Sequence, residues 1–141
     1  HIIISLNYRI VFNIINFFSR YSCSNLCSLI IPFNFIIFFC IFDNKVFVAQ
    51  SGGQLTAYDI TTGQQLWQNE QLLNRRLSNP AVLGNQLVVG DLDGVLHLVD
   101  PNSGNLIGRA KTSGEVRSLR SVDQQLYVSS QKGTYSIWQN R

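Results

Sequence analysis

The chain has 141 residues, 45% hydrophobic and 13% charged, with a formal net charge of +3. That is enough chain to bury a core, and its scattered basic residues lack the clustered patch that nucleic-acid binding needs. Three cysteines and two histidines, one of them the terminal His1, supply neither a disulfide framework nor a His pair for metal or triad chemistry.

Residues 1–43 differ in kind from the rest of the chain. They hold 11 of the 14 Ile, 8 of the 9 Phe and all three Cys, no Gly, and one acid, Asp43. Such Ile/Phe/Asn/Ser text resembles AT-rich DNA read in a frame not selected for protein. We read residues 1–44 as a non-propeller apolar leader, joined near Asn44 to a genuine coding segment. The competing reading is targeting. Leu29 to Phe42 is an apolar run of 14 residues broken by Pro32 and Asn34, short of the roughly 20 needed to span a bilayer. It is closer to a signal-peptide core, with Arg9 and Arg20 upstream. No small-residue cleavage site comes after it, and Phe38-Phe39 before Cys40 is wrong for a lipoprotein signal. Cys23 and Cys27, spaced CxxxC, have no nearby His to complete a zinc site.

Residues 45–141 contain one unit repeated. Val46 to Trp67, VFVAQSGGQLTAYDITTGQQLW, lies on Leu87 to Gly108, LVVGDLDGVLHLVDPNSGNLIG, after a shift of 41 positions. Gly53 falls on Gly94, Asp59 on Asp100 and Gly63 on Gly104. A shorter third copy, Leu126 to Trp138, puts Gly133 on Gly94. A repeat of about 40 residues built from short apolar runs and turn signals is the signature of β-propeller blades. Within a copy, Gly53, Gly94 and Gly133 suit tight hairpins that require positive φ. Asp59 and Asp100 can accept backbone N–H bonds two residues on, and Gly63 and Gly104 supply left-handed exits. Val95 to Val99 is apolar on both faces, as in a sheet covered on both sides. Ser78 to Leu83 and Glu115 to Val122 precede copies two and three and fit the innermost strands, giving four strands per blade from inner to outer.

The predicted fold is therefore all-β: about two and a half four-stranded antiparallel blades, a partial β-propeller. Gly53, Asp59, Gly63, Trp67, Gly94, Asp100, Gly104 and Gly133 are its structural turn and packing residues, with Trp67 expected between neighbouring blades. No GxSxG, HExxH, P-loop or GxGxxG occurs. His97 reads as a packed strand residue. Asp91 and Asp93 read as a hairpin turn, since the remaining ligands of a calcium loop are missing. No catalytic, cofactor-binding or metal residue is assigned. Arg117 and Arg120, on an inner strand, are expected at the channel rim. Val46, Val48, Leu55, Leu126, Tyr127 and Ile137 are expected to meet water on the terminal blade faces, at roughly 1.5–3 kcal/mol each. That makes the chain alone marginal.

Ala57-Tyr58-Asp59-Ile60-Thr61-Thr62-Gly63-Gln64-Gln65-Leu66-Trp67 matches the AxDxxTGxxxW repeat of the pyrroloquinoline-quinone (PQQ) type propellers. Copy two keeps Asp100, Ser103 and Gly104 but has Gly108 where Trp is expected. Within that superfamily, Val46 to Gln139 resembles the C-terminal end of the BamB family of outer-membrane assembly lipoproteins. Leu72 to Gly104 and the ending Lys132 to Gln139 carry most of the likeness. The resemblance implies an eight-bladed, non-catalytic scaffold on the periplasmic face of the outer membrane. Its implied partners are the barrel-insertion subunit of the assembly complex and unfolded outer-membrane proteins, with no cofactor, no nucleic acid and no small-molecule substrate. A fragment is not expected to perform that role alone. The lipidated N-terminal cysteine has no counterpart in this sequence. Two alternatives stay open: part of a PQQ-dependent dehydrogenase propeller, which would need a calcium-binding acid cluster, and a membrane-anchored propeller-repeat interaction protein.

Overall fold

The structure, a computed structural model, describes residues 27–31, 35–50, 52–133 and 135–139. The remaining leader positions, with Arg9, Arg20, Cys23 and the Pro32/Asn34 break, lie outside the described residues. Every regular element among the described residues is a β-strand, so none is a helix able to cross a membrane.

The strands form three antiparallel sheets in sequence order. The first holds β1 (Cys27–Ile31), β2 (Phe35–Phe42), β3 (Lys45–Gln50), β4 (Leu55–Asp59) and β5 (Gln65–Asn69). The second holds β6 (Ala81–Leu83), β7 (Gln86–Gly90), β8 (Val95–Val99) and β9 (Leu106–Lys111). The third holds β10 (Val116–Val122), β11 (Gln125–Ser130) and β12 (Tyr135–Gln139). Each sheet is a meander, as in propeller blades.

The Ser78 to Leu83 and Glu115 to Val122 segments supply β6 and β10, each paired to the first strand of its copy. In the first blade that place is taken by β2, whose Ile37 to Phe42 pair with Gln50 to Lys45. The compositional break near Asn44 thus falls in a two-residue hairpin. Asp43 and Asn44 both have positive φ, 50° and 59°, as a type I′ turn requires. Asp123 and Gln124 repeat that geometry at 50° and 65° between β10 and β11.

Two apolar cores lie between the blades. Phe47, Ala57, Trp67, Leu72, Leu87 and Val99 are among those that fill the space between blades one and two. Val88, Leu96, Val116, Leu119, Leu126 and Val128 fill that between blades two and three. Alternate residues of β7 point to opposite cores, which is why Leu87-Val88-Val89 is apolar throughout.

The predicted water-facing set needs correction. Val46, Val48, Leu55 and Leu126 are all buried, at 4% exposure or less, and only Tyr127 (38%) and Ile137 (59%) are exposed. Leu55 and Leu126 point into the two interblade cores. Val46 and Val48 lie on the other face of β3, where Phe39, Thr56 and Tyr58 are buried with them. The exposed pair, Tyr127 and Ile137, are cross-strand neighbours on blade three.

Polar side chains also join blades. Buried Asn79 donates from Nδ2 to the Leu119 carbonyl at 2.7 Å and accepts the Leu119 N–H at 3.0 Å. Asn79→Ala should leave both Leu119 groups short of a partner and cost about 1–3 kcal/mol. Urea denaturation would read this, and an unchanged midpoint would remove Asn79 as a joint between blades two and three.

Candidate functional site

Three of the predicted structural residues converge on one joint. Asp100 Oδ1 accepts the Asn102 N–H at 2.9 Å, and Gly104 N–H closes the turn onto the Asp100 carbonyl at 2.8 Å. Against this turn of blade two lies Trp67 of blade one. Its indole Nε1 donates to the Pro101 carbonyl at 2.8 Å, and the neighbouring Asn69 Nδ2 donates to the Gly104 carbonyl at 2.7 Å. Gly104 has φ +78°, and a Cβ there would clash with Cε3 of the Trp67 ring. The ring also packs on Phe47, with centroids 6.0 Å apart.

The Asp59 to Gly63 turn has the same local chemistry. Asp59 Oδ1 accepts from Thr61 N–H at 2.8 Å and Thr62 N–H at 2.9 Å. Those two bonds, Thr62's first, hold the carboxyl below its usual range. Gly63 has φ +74°.

The hairpin glycines sit at the other end of the blades. A Cβ on Gly53 would strike the Leu72 carbonyl, and one on Gly94 would stand 2.5 Å from the Gly114 carbonyl oxygen. The contact thus recurs one repeat later, each hairpin lying under the loop that leads to the next blade. Gly133 has φ +74° and nothing within 4 Å.

At this loop end the structure assembles a polar cluster from residues that the sequence marks only as a turn and a packed strand position. Asp91 is fully buried and His97 is 5% exposed. His97 Nε2 stands 2.7 Å from Asp91 Oδ2, and Arg75 Nη1 lies 3.3 Å from the same oxygen. Asp91 Oδ1 accepts the N–H groups of Asp93 and Val95, each at 2.9 Å. Burial works against the Asp91 charge. The His97 hydrogen bond, the Val95 N–H, the His97 charge and Arg75 outweigh it, and the carboxyl sits below its usual range. An ionised carboxylate only accepts, so the proton shared with His97 belongs on Nε2. Both Asp91 oxygens are taken by the chain's own donors. Among the described residues no group of three His, Cys, Asp or Glu is placed to hold a metal.

Beside the cluster is a cleft of about 270 Å³ between the 71–75 loop and strands β8 and β9. Arg75 and Arg109 line it, with Gln71, His97 and the apolar Leu72 and Leu106. Arg117 and Arg120 are exposed on β10, and Arg117 is 3.8 Å from Glu115. Cys40 is partly buried against the first core, and burial pushes its thiol up to about 12.

The family model for outer membrane protein assembly factor BamB matches residues 40–140. The chain belongs to the BamB family. The BamB of Taylorella asinigenitalis is 36% identical over 98 residues, 67% of this chain and 26% of that protein. The Escherichia coli BamB is 30% identical over 102 residues, 70% of this chain and 26% of its own length. The chain thus spans about a quarter of the length of these relatives. The crystal structure of Moraxella catarrhalis BamB superposes with a TM-score of 0.70 at 24% identity, covering 80% of this chain and 42% of that one. The computationally designed Ika4 protein gives 0.62 at 18% identity, covering 84% and 92%. Both are likenesses of fold, and the BamB one agrees with the family match.

Proposed function

We propose that this chain contributes propeller blades to a non-catalytic scaffold for outer-membrane protein assembly. The match of residues 40–140 to the BamB family carries this reading. The arrangement of polar groups is in keeping with it. Trp67, Asn69, Asn79 and Asp91 each satisfy buried groups across a blade joint or a loop, which is work for a rigid platform. The scaffold acts on the periplasmic face of the outer membrane, binding the barrel-insertion subunit and supporting folding of client barrels. One quarter of a relative's length supplies only part of such a surface, so the chain acts as part of a larger ring.

The test is a chimera. Residues 45–141 replace the matching blades of the E. coli BamB in a strain lacking its own copy. Restored outer-membrane protein levels, with co-purification of the barrel-insertion subunit, are expected. A chimera that folds and reaches the outer membrane yet restores neither would overturn the reading.

A further inference from the structure

We propose that the cleft between the 71–75 loop and β8–β9 is a binding site for a carboxylate. The inference does not depend on the assembly reading. Arg109 lies on β9, exposed and directly across from His97, and makes no ion pair among the described residues. Arg75, on the loop, lines the same cleft. One of its terminal nitrogens reaches Asp91 at 3.3 Å and Asp93 at 4.0 Å. A guanidinium carries five N–H donors in a fixed fork, so most of Arg75's donors remain for a ligand.

The counter-charges nearby are Asp91, fully buried, and Asp93, which is exposed. Asp91 offsets the Arg75 charge, and no ion pair among the described residues offsets that of Arg109. Gln71 adds an amide, and Leu72 and Leu106 give apolar walls. Two arginines lining one cleft with apolar walls suit a carboxylate on a short aliphatic stem. Such a group is presented by a glutamate on a peptide or by a free organic acid. Arg75 is tied to the cleft wall by its contact with the buried Asp91 at 3.3 Å and by the Leu92 N–H bond to the Arg75 carbonyl at 3.0 Å, which lowers the ordering cost on that side of the site.

The experiment is fluorescence anisotropy on the full 141-residue chain with a C-terminally amidated peptide, Ser-Gly-Leu-Glu-Leu-Gly-Ser, carrying an uncharged boron-dipyrromethene label so that the glutamate is its one carboxylate. Its glutamine counterpart is the control, and the Arg109→Glu variant is compared with the parent. The glutamate peptide should bind at least about tenfold more tightly than the glutamine one, and Arg109→Glu should weaken binding by about tenfold or more. Arg109 is exposed, so the variant should keep the thermal midpoint and the tryptophan emission of the parent. Glutarate as competitor separates the sources: displacement makes a free acid sufficient, and no displacement makes the peptide-borne group the ligand. Equal binding of the two peptides, equal binding by a folded Arg109→Glu variant, or no binding of the glutamate peptide at millimolar concentration would each overturn the proposal.

Discussion

Gly104→Ala is expected to destabilise the protein by about 3–6 kcal/mol, far more than a glycine-to-alanine change at a permissive turn. Three effects add. The residue has φ +78°, where an L side chain costs about 1–2 kcal/mol. The new methyl would occupy space held by the Trp67 indole, and overpacking of that kind costs about 1–3 kcal/mol. Moving the ring also loosens its 2.8 Å bond to Pro101, worth about 1 kcal/mol. Gly133→Ala is the control. Its φ is +74° with nothing within 4 Å, so only the backbone cost of about 1–2 kcal/mol should appear. A second check is the cycle with Trp67→Leu. The clash partner is gone in the double variant, so the two losses should fall short of additivity by about 1 kcal/mol or more. Denaturant midpoints that drop equally for Gly104→Ala and Gly133→Ala would show that the Trp67 contact contributes nothing.

The same joint shows how far the repeat is readable from the residues. The 41-residue spacing aligns Trp67 with Gly108, and a missing Trp looks like a lost contact. The structure explains the exchange through the cross-strand partner. Ala57 pairs with Trp67, and Leu98 pairs with Gly108. A Cβ at 108 would stand 3.1 Å from Leu98 Cδ1. Large and small residues have traded strands, so the outer part of each interface stays filled. Strands, turn positions and inner strands are legible because glycine, aspartate and apolar alternation mark them locally. Burial of Val46 and Val48 is not, because it depends on what lies against a sheet face and not on the strand itself. The Asp91–His97 pair has a readable signal in the hairpin register. Val89 faces His97 across the β7–β8 hairpin, so Asp91, two residues on, is a diagonal neighbour on the same face. The Arg75 contact has none, since an irregular loop carries no register.

Removing the Asp91 carboxylate should be the other severe change. Asp91→Ala deletes the acceptor for His97, Arg75 and two backbone N–H groups at a fully buried site, and losing one partner of such a buried pair costs about 3–5 kcal/mol. Asp91→Asn keeps the shape and one acceptor oxygen but loses the charge that balances Arg75, so a loss of about 2–3 kcal/mol is expected. The pH dependence gives the sharper test. The folded-state carboxyl lies below its ordinary value, held there against burial by His97, Val95 and Arg75. The unfolded chain therefore binds the Asp91 proton first as pH falls. The stabilisation is fully present above the unfolded value of about 3.9 and is lost as pH drops through the lower folded value. The gap between parent and Asp91→Asn should thus narrow as pH falls below about 4. Urea midpoints for both proteins on either side of that pH measure it. A gap that stays constant down to about pH 3 would show that the carboxylate charge does not hold the 71–75 loop to blade two. The loop would then be anchored by its buried Leu72 and its backbone bonds, Leu92 N–H to the Arg75 carbonyl at 3.0 Å and Asn74 N–H to the Gly52 carbonyl at 2.8 Å.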